Sequence, residues 1–499
     1  MAITQQDVIY FLLTDLFYGS GKSVSTEGLN KANPYSYHGG NFDGLIEKIP
    51  YLEKLGVTAL WITPVYMQVK RPANESQAYH GYWALDFNKV DPHLYTHEKY
   101  DAGDRKYVKD LCDALHKKNI KLILDVVVNH AGYNHPGQSG VTDPSIPIKS
   151  SWFHTRGVSA DQNLIDGELA GLPDFDLDNL DVIDYHIQSL IGWIRETGID
   201  AIRMDTAKHV EKGFWNYFKT QIRGKYPDVS LLGEVLEYDV DDLTNYQKFW
   251  GFDSLFDFPV QATILKVFVN GGSLTEFHSA YSSGTGIFER DNSYSNQNRL
   301  VSLLDNHDLS CRFMTAALNA CSQDRRKAVD IQKLALTFIF TTRGIPQIYY
   351  GTEVALEGGG DPDNRRDFPW EKLDNNNEVL PKYAFEKEVF EHTKLLIKLR
   401  ITNDALHAGS FVCLYVDNFI FAYLNYFNDN IVITILNNGY DPMPRPLQIG
   451  ITQNSNLPER IKNYIANKTM TCQLTGAKYE IKDGMLEIQL PGKSSAILI

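Results

Sequence analysis

Cysteine is scarce: 499 residues hold five, Cys112, Cys311, Cys321, Cys413 and Cys472, with no CxxC among them. So odd and scattered a set reads as reduced thiols of a cytoplasmic protein, not as a disulfide frame or a zinc site. Basic charge is also short, with 48 Lys and Arg against 62 Asp and Glu and a formal net charge of −14. A nucleic-acid binder would show a basic face, so that class is set aside, and the balance suits a neutral substrate. Long apolar runs are absent too. The opening "MAITQQDVIYFLLTDLF" lacks a basic n-region and a small-residue cleavage site, and Asp15 interrupts its apolar run. It reads as a strand, not as a signal or membrane helix. The expectation is a cytoplasmic protein with no membrane segment, although a secreted mature form with an added Met1 would look the same. There are no internal repeats and no low-complexity tract. Oligomeric state is open, with a monomer the simpler expectation.

What is present is ordinary globular composition, 43% hydrophobic and 22% charged. The length exceeds a typical domain and suits two or three domains, or one large barrel with additions. Aromatics reach 12%, with 28 Tyr and 7 Trp. Many belong to the core, but the excess also suits sugar faces, whose C–H surfaces stack on aromatic rings.

Short apolar runs alternate with amphipathic ones. The runs at 8–13, 57–63, 120–128, 199–204, 229–234, 299–306 and 344–350 read as buried strands, and "FDSLFDF" (252–258) is a weaker candidate. Helical spacing appears between them, at 42–56, 105–119, 181–198, 214–226 and 331–342. Continuously apolar strands with helices between them mean a parallel sheet covered on both faces. Eight such units predict an α/β fold, a (β/α)8 TIM barrel, over 1–130 and 177–400; a doubly wound sheet is the runner-up. The Gly-, Pro-, Asp- and Ser-rich segment 131–176 breaks the alternation after strand 3 and predicts an inserted loop domain. From 401 to 499 the pattern alternates apolar and polar residues, with turns at Asn437-Asn438-Gly439 and Asp483-Gly484, which predicts a C-terminal antiparallel β-sandwich.

In a barrel the C-terminal strand ends carry the chemistry. Polar residues cluster there: Asp125, Asn129 and His130; Arg203 and Asp205; Glu234; Asn306, His307 and Asp308. A carboxylate at a strand end is often a helix N-cap, and Asp125, inside its strand, is as readily the partner of a buried cation. Three strands each bringing a carboxylate to one rim, beside Arg203 and two histidines, favour acid/base work on an acetal. Glycoside hydrolysis needs one carboxyl as acid and another as nucleophile or base. Arg203 lies two residues before Asp205, on the same side of the strand, and is expected to hold Asp205 ionised and lower its pKa.

Four segments, "DVVVNH" (125–130), "GIDAIRMDTAKH" (198–209), "LLGEV" (231–235) and "LLDNHD" (303–308), resemble the four ordered regions of the α-amylase family of glycoside hydrolases. "LPDFD" (172–176), "YHGYWALDF" (79–87) and "GIPQIYYGTE" (344–353) resemble further family segments, so the likeness spans nearly the whole chain. The resemblance implies that Asp205 is the nucleophile, Glu234 the general acid and then base, and that Asp308 binds the 2- and 3-hydroxyls. Arg203 would orient Asp205, His130 and His307 would bond the same sugar, and Tyr82 would stack under it. Lys208 and His209 would contact the sugar on the leaving-group side. Double displacement implies net retention, and Glu234 would need a raised pKa. One structural Ca2+ is implied, with Asn129, Asp174 and the backbone oxygen of His209 as oxygen ligands and a fourth from 131–171 unassigned. A second calcium loop is not expected, because "YGSGKSVSTEG" (18–28) is poor in such ligands.

Within the family, Thr206 and "AKH" (207–209) resemble α-amylases, which implies α-1,4 cleavage of starch, glycogen or malto-oligosaccharides. "EGGGDPDNRRDFPW" (357–370) resembles cyclomaltodextrinases and neopullulanases, the alternative. α-Glucan transglycosylation shares the covalent intermediate and is a third reading. A carbohydrate-binding relative without activity is the non-enzyme reading, and the presence of Asp205, Glu234 and Asp308 speaks against it.

Overall fold

A computed structural model describes residues 2–70, 75–97, 99–138, 146–155, 157, 165–279 and 286–499. Eight parallel strands form its centre: β1 (Ile9–Leu12), β2 (Ala59–Ile62), β3 (Lys121–Val126), β4 (Ala201–Met204), β5 (Ser230–Gly233), β6 (Ser254–Leu255), β7 (Val301–Leu303) and β8 (Ile345–Tyr349). They pair in chain order, β1 also pairs with β8, and a parallel bridge between Phe256 and Val301 joins β6 to β7. The sheet is therefore a closed (β/α)8 barrel. Its strands are buried along almost their whole length, which is why they read as unbroken apolar runs. Phe11, Trp61 and Tyr349 meet across β1, β2 and β8, with Phe11 stacked on Trp61 at 3.6 Å between ring centroids.

Local signals set the helix ends. Asn41 accepts from Gly44 N to start Phe42–Leu55, and Asn179 accepts from Asp181 N to start Leu180–Thr197. Gly56 and Gly198 end those two helices with φ of 93° and 76°, conformations that suit residues without a Cβ. Two expectations need adjustment. The helix expected over 214–226 is a short one, Lys212–Phe218, followed by a π turn at Lys219–Arg223. Of the weak strand candidate at 252–258, only Ser254 and Leu255 form a strand and Phe256 adds a single bridge, because Asp257 already caps the next helix by accepting from Val260 N.

After β3 the chain leaves the barrel, as expected for an inserted loop domain. Bridges from His130 to Asp174 and from Phe153 to Phe175 bring the ends of this insertion together. A hairpin of Tyr66–Gln68 and Ala84–Val90 after β2 was not anticipated, since its strands mix buried and half-buried residues without clean alternation.

The last barrel helix runs over Ala384–Thr402. Beyond it are two four-stranded antiparallel sheets. One orders Ser410–Val416, Ile420–Phe427, Asn430–Asn437 and Ser494–Leu498; the other orders Leu447–Gly450, Met485–Ile488, Lys478–Lys482 and Thr469–Thr471. Their facing side chains, Ile433, Ile435, Ile449, Ile481, Leu486 and Leu498 among them, make a separate core. Asp483 and Gly484, with φ of 49° and 77°, make the tight hairpin turn read from the sequence. Among the described residues no helix is long and apolar enough to cross a membrane.

Candidate active site

The barrel ladder continues one residue past β4 and β5. Asp205 N donates to Val126 O and Glu234 N to Met204 O, each at 2.9 Å. These two backbone bonds fix both carboxylates at the C-terminal rim. Asp308 reaches the same rim from the turn after β7, where Asn306 Oδ1 accepts from Asp308 N and Leu309 N.

Arg203 sits at the centre and is 1% exposed. Its Nη1 donates to Asp125 Oδ1 and to Asp205 Oδ1, both at 2.8 Å, and its Nη2 lies 2.6 Å from Glu234 Oε1. Asp125 is thus the buried counter-ion, held further by Trp61 Nε1 and by the Tyr82 hydroxyl. Thr206 links the other two carboxylates: its hydroxyl donates to Asp205 Oδ2 at 3.1 Å and its N–H to Glu234 Oε2 at 3.0 Å.

Here the structure corrects one expectation. Burial pushes Asp205 up to about 7; Arg203 pulls it back, while Glu234 and Asp308 push it up again. The guanidinium was expected to win, but desolvation of a fully buried carboxylate inside a cluster of like charges is larger. Glu234 is also raised, first by burial and then by Asp308. The two titrate as a pair, and a proton stays with it near neutrality.

The remaining site residues gather around this core. The Tyr82 ring stacks on His307 at 5.3 Å. His130 donates from Nε2 to Tyr82 O and burial lowers its pKa to about 4. His307 Nε2 is 3.2 Å from Asp308 Oδ2, and burial, then Arg365 and Arg203, hold His307 well below its ordinary range. Both rings are neutral at pH 7. Lys208 lies on the turn Ala207–His209 and pairs with Glu237 Oε2 at 3.1 Å. His209, on the same turn, is near enough to His130 for its charge to lower that pKa.

Asn129 Nδ2 donates to Asp174 Oδ1 at 3.2 Å, and Asn129 Oδ1 is buried with no hydrogen-bond partner among the described residues. Burial pushes Asp174 up to about 8. An orphaned amide oxygen beside a buried carboxylate is a hard-oxygen donor set that fits calcium. His154 and Glu211 flank it, with His154 Nε2 2.8 Å from Glu211 Oε1 and 4.0 Å from Asp174 Oδ2. Of the segment expected to supply a fourth ligand, residues 139–145, 156 and 158–164 lie outside the described residues.

Two rim residues were not singled out beforehand. Arg365 Nε donates to His307 O at 3.1 Å, and its Nη atoms lie 3.3 Å from Asp308 Oδ1 and from Asp361 Oδ1. The segment that carries them, 357–370, stood out by its sequence, but nothing in its spacing said which residue reaches the rim.

Comparison with known proteins matches residues 11–409 to the catalytic domain of alpha amylase. A beta/alpha-amylase of Paenibacillus polymyxa is 31% identical over 97% of this chain, which spans 37% of that relative's length. A cyclomaltodextrinase of Thermoanaerobacter pseudethanolicus is 29% identical over 87% of this chain and 70% of its own. The solved structure of an Anoxybacillus alpha-amylase superposes with a TM-score of 0.83 and 32% identity, covering 100% of this chain and 98% of the other.

Proposed function

Because the chain belongs to the α-amylase family of glycoside hydrolases, we propose that it cleaves α-1,4-glucosidic bonds of starch, glycogen or malto-oligosaccharides with retention. One observation carries this reading: a single guanidinium, that of Arg203, touches both Asp205 and Glu234. Two carboxylates held this close suit the retaining geometry better than the wider inverting one.

In the first step a carboxylate oxygen of Asp205 attacks the anomeric carbon. Glu234 gives its proton to the glycosidic oxygen, the C1–O bond breaks and the leaving chain departs as an alcohol. In the second step Glu234 takes a proton from water, and the water oxygen attacks C1 and displaces Asp205. The pair's one proton belongs on Glu234: Arg203 and Thr206 bond both carboxylates, and Glu234 in addition shares a hydrogen bond with Asp308, which two carboxyls can make only with a proton between them.

Asp308 is suited to gripping sugar hydroxyls from its half-exposed position, with His130 and His307 as neutral hydrogen-bonding partners and Tyr82 as the stacking face. Lys208 and His209 serve the leaving-group side. A calcium ion held by Asn129, Asp174 and the backbone oxygen of His209 would fasten the insertion to the barrel. Arg365 and Asp361 beside Asp308 favour cyclomaltodextrinase action as the second reading, since they bring the 357–370 segment to the rim.

A product time course on soluble starch and on β-cyclodextrin, with Glu234→Gln as control, separates the two. Fast starch depolymerisation with slow ring opening is the expected result, and the reverse preference establishes the second reading. Nuclear magnetic resonance of the first product anomer tests retention: initial β-anomer overturns the mechanism.

A further inference from the structure

At the opposite end of the barrel is a cluster that the chemistry above does not use. Cys112 and His116 stand four residues apart on the helix Lys106–His116, so they share one face. Asp200 immediately precedes β4 and its side chain is fully buried. His116 Nε2 lies 3.5 Å from Cys112 Sγ and 2.7 Å from Asp200 Oδ2. The ligand atoms of all three lie within 4.8 Å of one another.

We propose that Cys112, His116 and Asp200 form a binding site for a zinc-class divalent transition-metal ion, beyond the glycosidase reading and independent of it. Tetrahedral zinc, with bonds of about 2.3 Å to sulfur and about 2.0 Å to nitrogen or oxygen, puts its ligands roughly 3.3–3.6 Å apart. The sulfur–nitrogen edge already has that length. The nitrogen–oxygen edge must open by about 0.6 Å, which rotation of the His116 ring can supply. That ring is 31% exposed, which also leaves a path for the ion and room for water as fourth ligand. Thiolate, imidazole and carboxylate together select zinc or cobalt over calcium or magnesium.

Without a metal the group is a hydrogen-bonded clip: Cys112 Sγ donates to Gly198 O, and Asp200 Oδ2 accepts from Leu122 N. Binding releases the Cys112 thiol proton to solvent, moves the His116 ring proton from Nε2 to Nδ1, and replaces the His116–Asp200 bond with two bonds to the ion. Because a thiol proton is released on binding, affinity rises with pH. The ion would tie the helix to the starts of β3 and β4.

Cobalt titration of the full chain tests this, read as the thiolate-to-cobalt charge-transfer absorption. The expected result is one equivalent of cobalt giving that band, zinc abolishing it, and an unfolding temperature that rises with zinc. Cys112→Ser should remove the band and leave starch hydrolysis unchanged. His116→Gln, at a partly exposed position, should weaken cobalt binding on the order of tenfold or more. Another cluster among the described residues that could hold a metal, His154, Asp176 and Glu211, has no thiol and cannot give the band. No band at excess cobalt, a band that survives Cys112→Ser, or unchanged affinity in His116→Gln overturns the proposal.

Discussion

Two arginines, each 1% exposed, mark the two ends of the barrel. Arg203, at the C-terminal rim, faces three carboxylates. Arg400, from the last barrel helix, faces backbone carbonyls, among them Phe340, Thr342 and Gly344 at the end of the preceding helix and the start of β8. Burial works against both charges. At Arg203 the carboxylates outweigh it and raise the pKa, whereas Arg400 meets no carboxylate among the described residues and its pKa falls. A helix C-terminus supplies partial negative charge that needs no titration. Buried carboxylates supply full charges that do titrate, at a cost in stability that only the chemistry explains. The Arg400 end is built for stability and the Arg203 end for reaction.

The largest expected effect breaks the rim alone. Asp205→Asn should lower turnover on starch on the order of 10⁴-fold or more, because the covalent step is lost. It should not lower the unfolding temperature at pH 8. The sign follows from linkage: the folded pKa of Asp205 is raised to about 7 from an ordinary 3.8, so the folded state binds the extra proton between those values. Stability therefore falls as pH rises through that window, and an amide removes the loss. A variant both inactive and clearly less stable would contradict the reading of a strained, functional carboxylate.

Exchanging the two arginines sharpens the comparison. Arg203→Met leaves three buried carboxylates without their cation and should cost about 3–5 kcal/mol at neutral pH. That loss should shrink at low pH as the carboxylates protonate. Arg400→Met strands carbonyls at about 1–3 kcal/mol each, offset by the removal of a buried charge, and its effect should change little with pH. Turnover of the folded fraction should collapse in the first and persist in the second. Denaturant unfolding at pH 5 and pH 8 measures the difference, and equal pH dependence would erase it.

The barrel was legible in the sequence because its strands are buried on both faces, so apolar runs such as 8–13 and 57–63 needed no alternation. The rim residues were legible because a charge at the end of a core strand has few uses. Other features were not legible, for physical reasons. The raised pKa of Asp205 depends on burial by the whole rim, not on its neighbour Arg203. Arg365 meets Asp308 across 57 positions, and His116 meets Asp200 across 84, so no local spacing announces either contact. The hairpin of Tyr66–Gln68 and Ala84–Val90 carries half-buried polar residues on both faces and so lacks a strand period.

Chelation should have a moderate effect, confined to the rim side. Asp174 is pushed up to about 8, so without an ion the folded chain binds the extra proton from roughly pH 4 to pH 8. Stability without calcium falls across that window, whereas a bound ion keeps the carboxylate ionised and removes the slope. The drop in unfolding temperature on EDTA treatment should therefore be larger at pH 8 than at pH 5, and absent in Asp174→Asn. No bound metal and no drop at either pH would remove calcium from the account.

The smallest effect separates two glycines on the same principle. Gly81 has φ of 90°, and a Cβ there would lie 2.2 Å from Pro64 O, so Gly81→Ala must move backbone next to Tyr82. It should lose both stability and activity. Gly198, at the far end, has φ of 76°, but a Cβ there meets nothing within 4 Å. Gly198→Ala should cost only the left-handed backbone penalty, about 1 kcal/mol, with starch turnover unchanged. Parallel thermal unfolding and turnover of the two variants check this. Activity lost in Gly198→Ala would mean that the two ends are coupled, and the division between a stabilising end and a reacting end would fail.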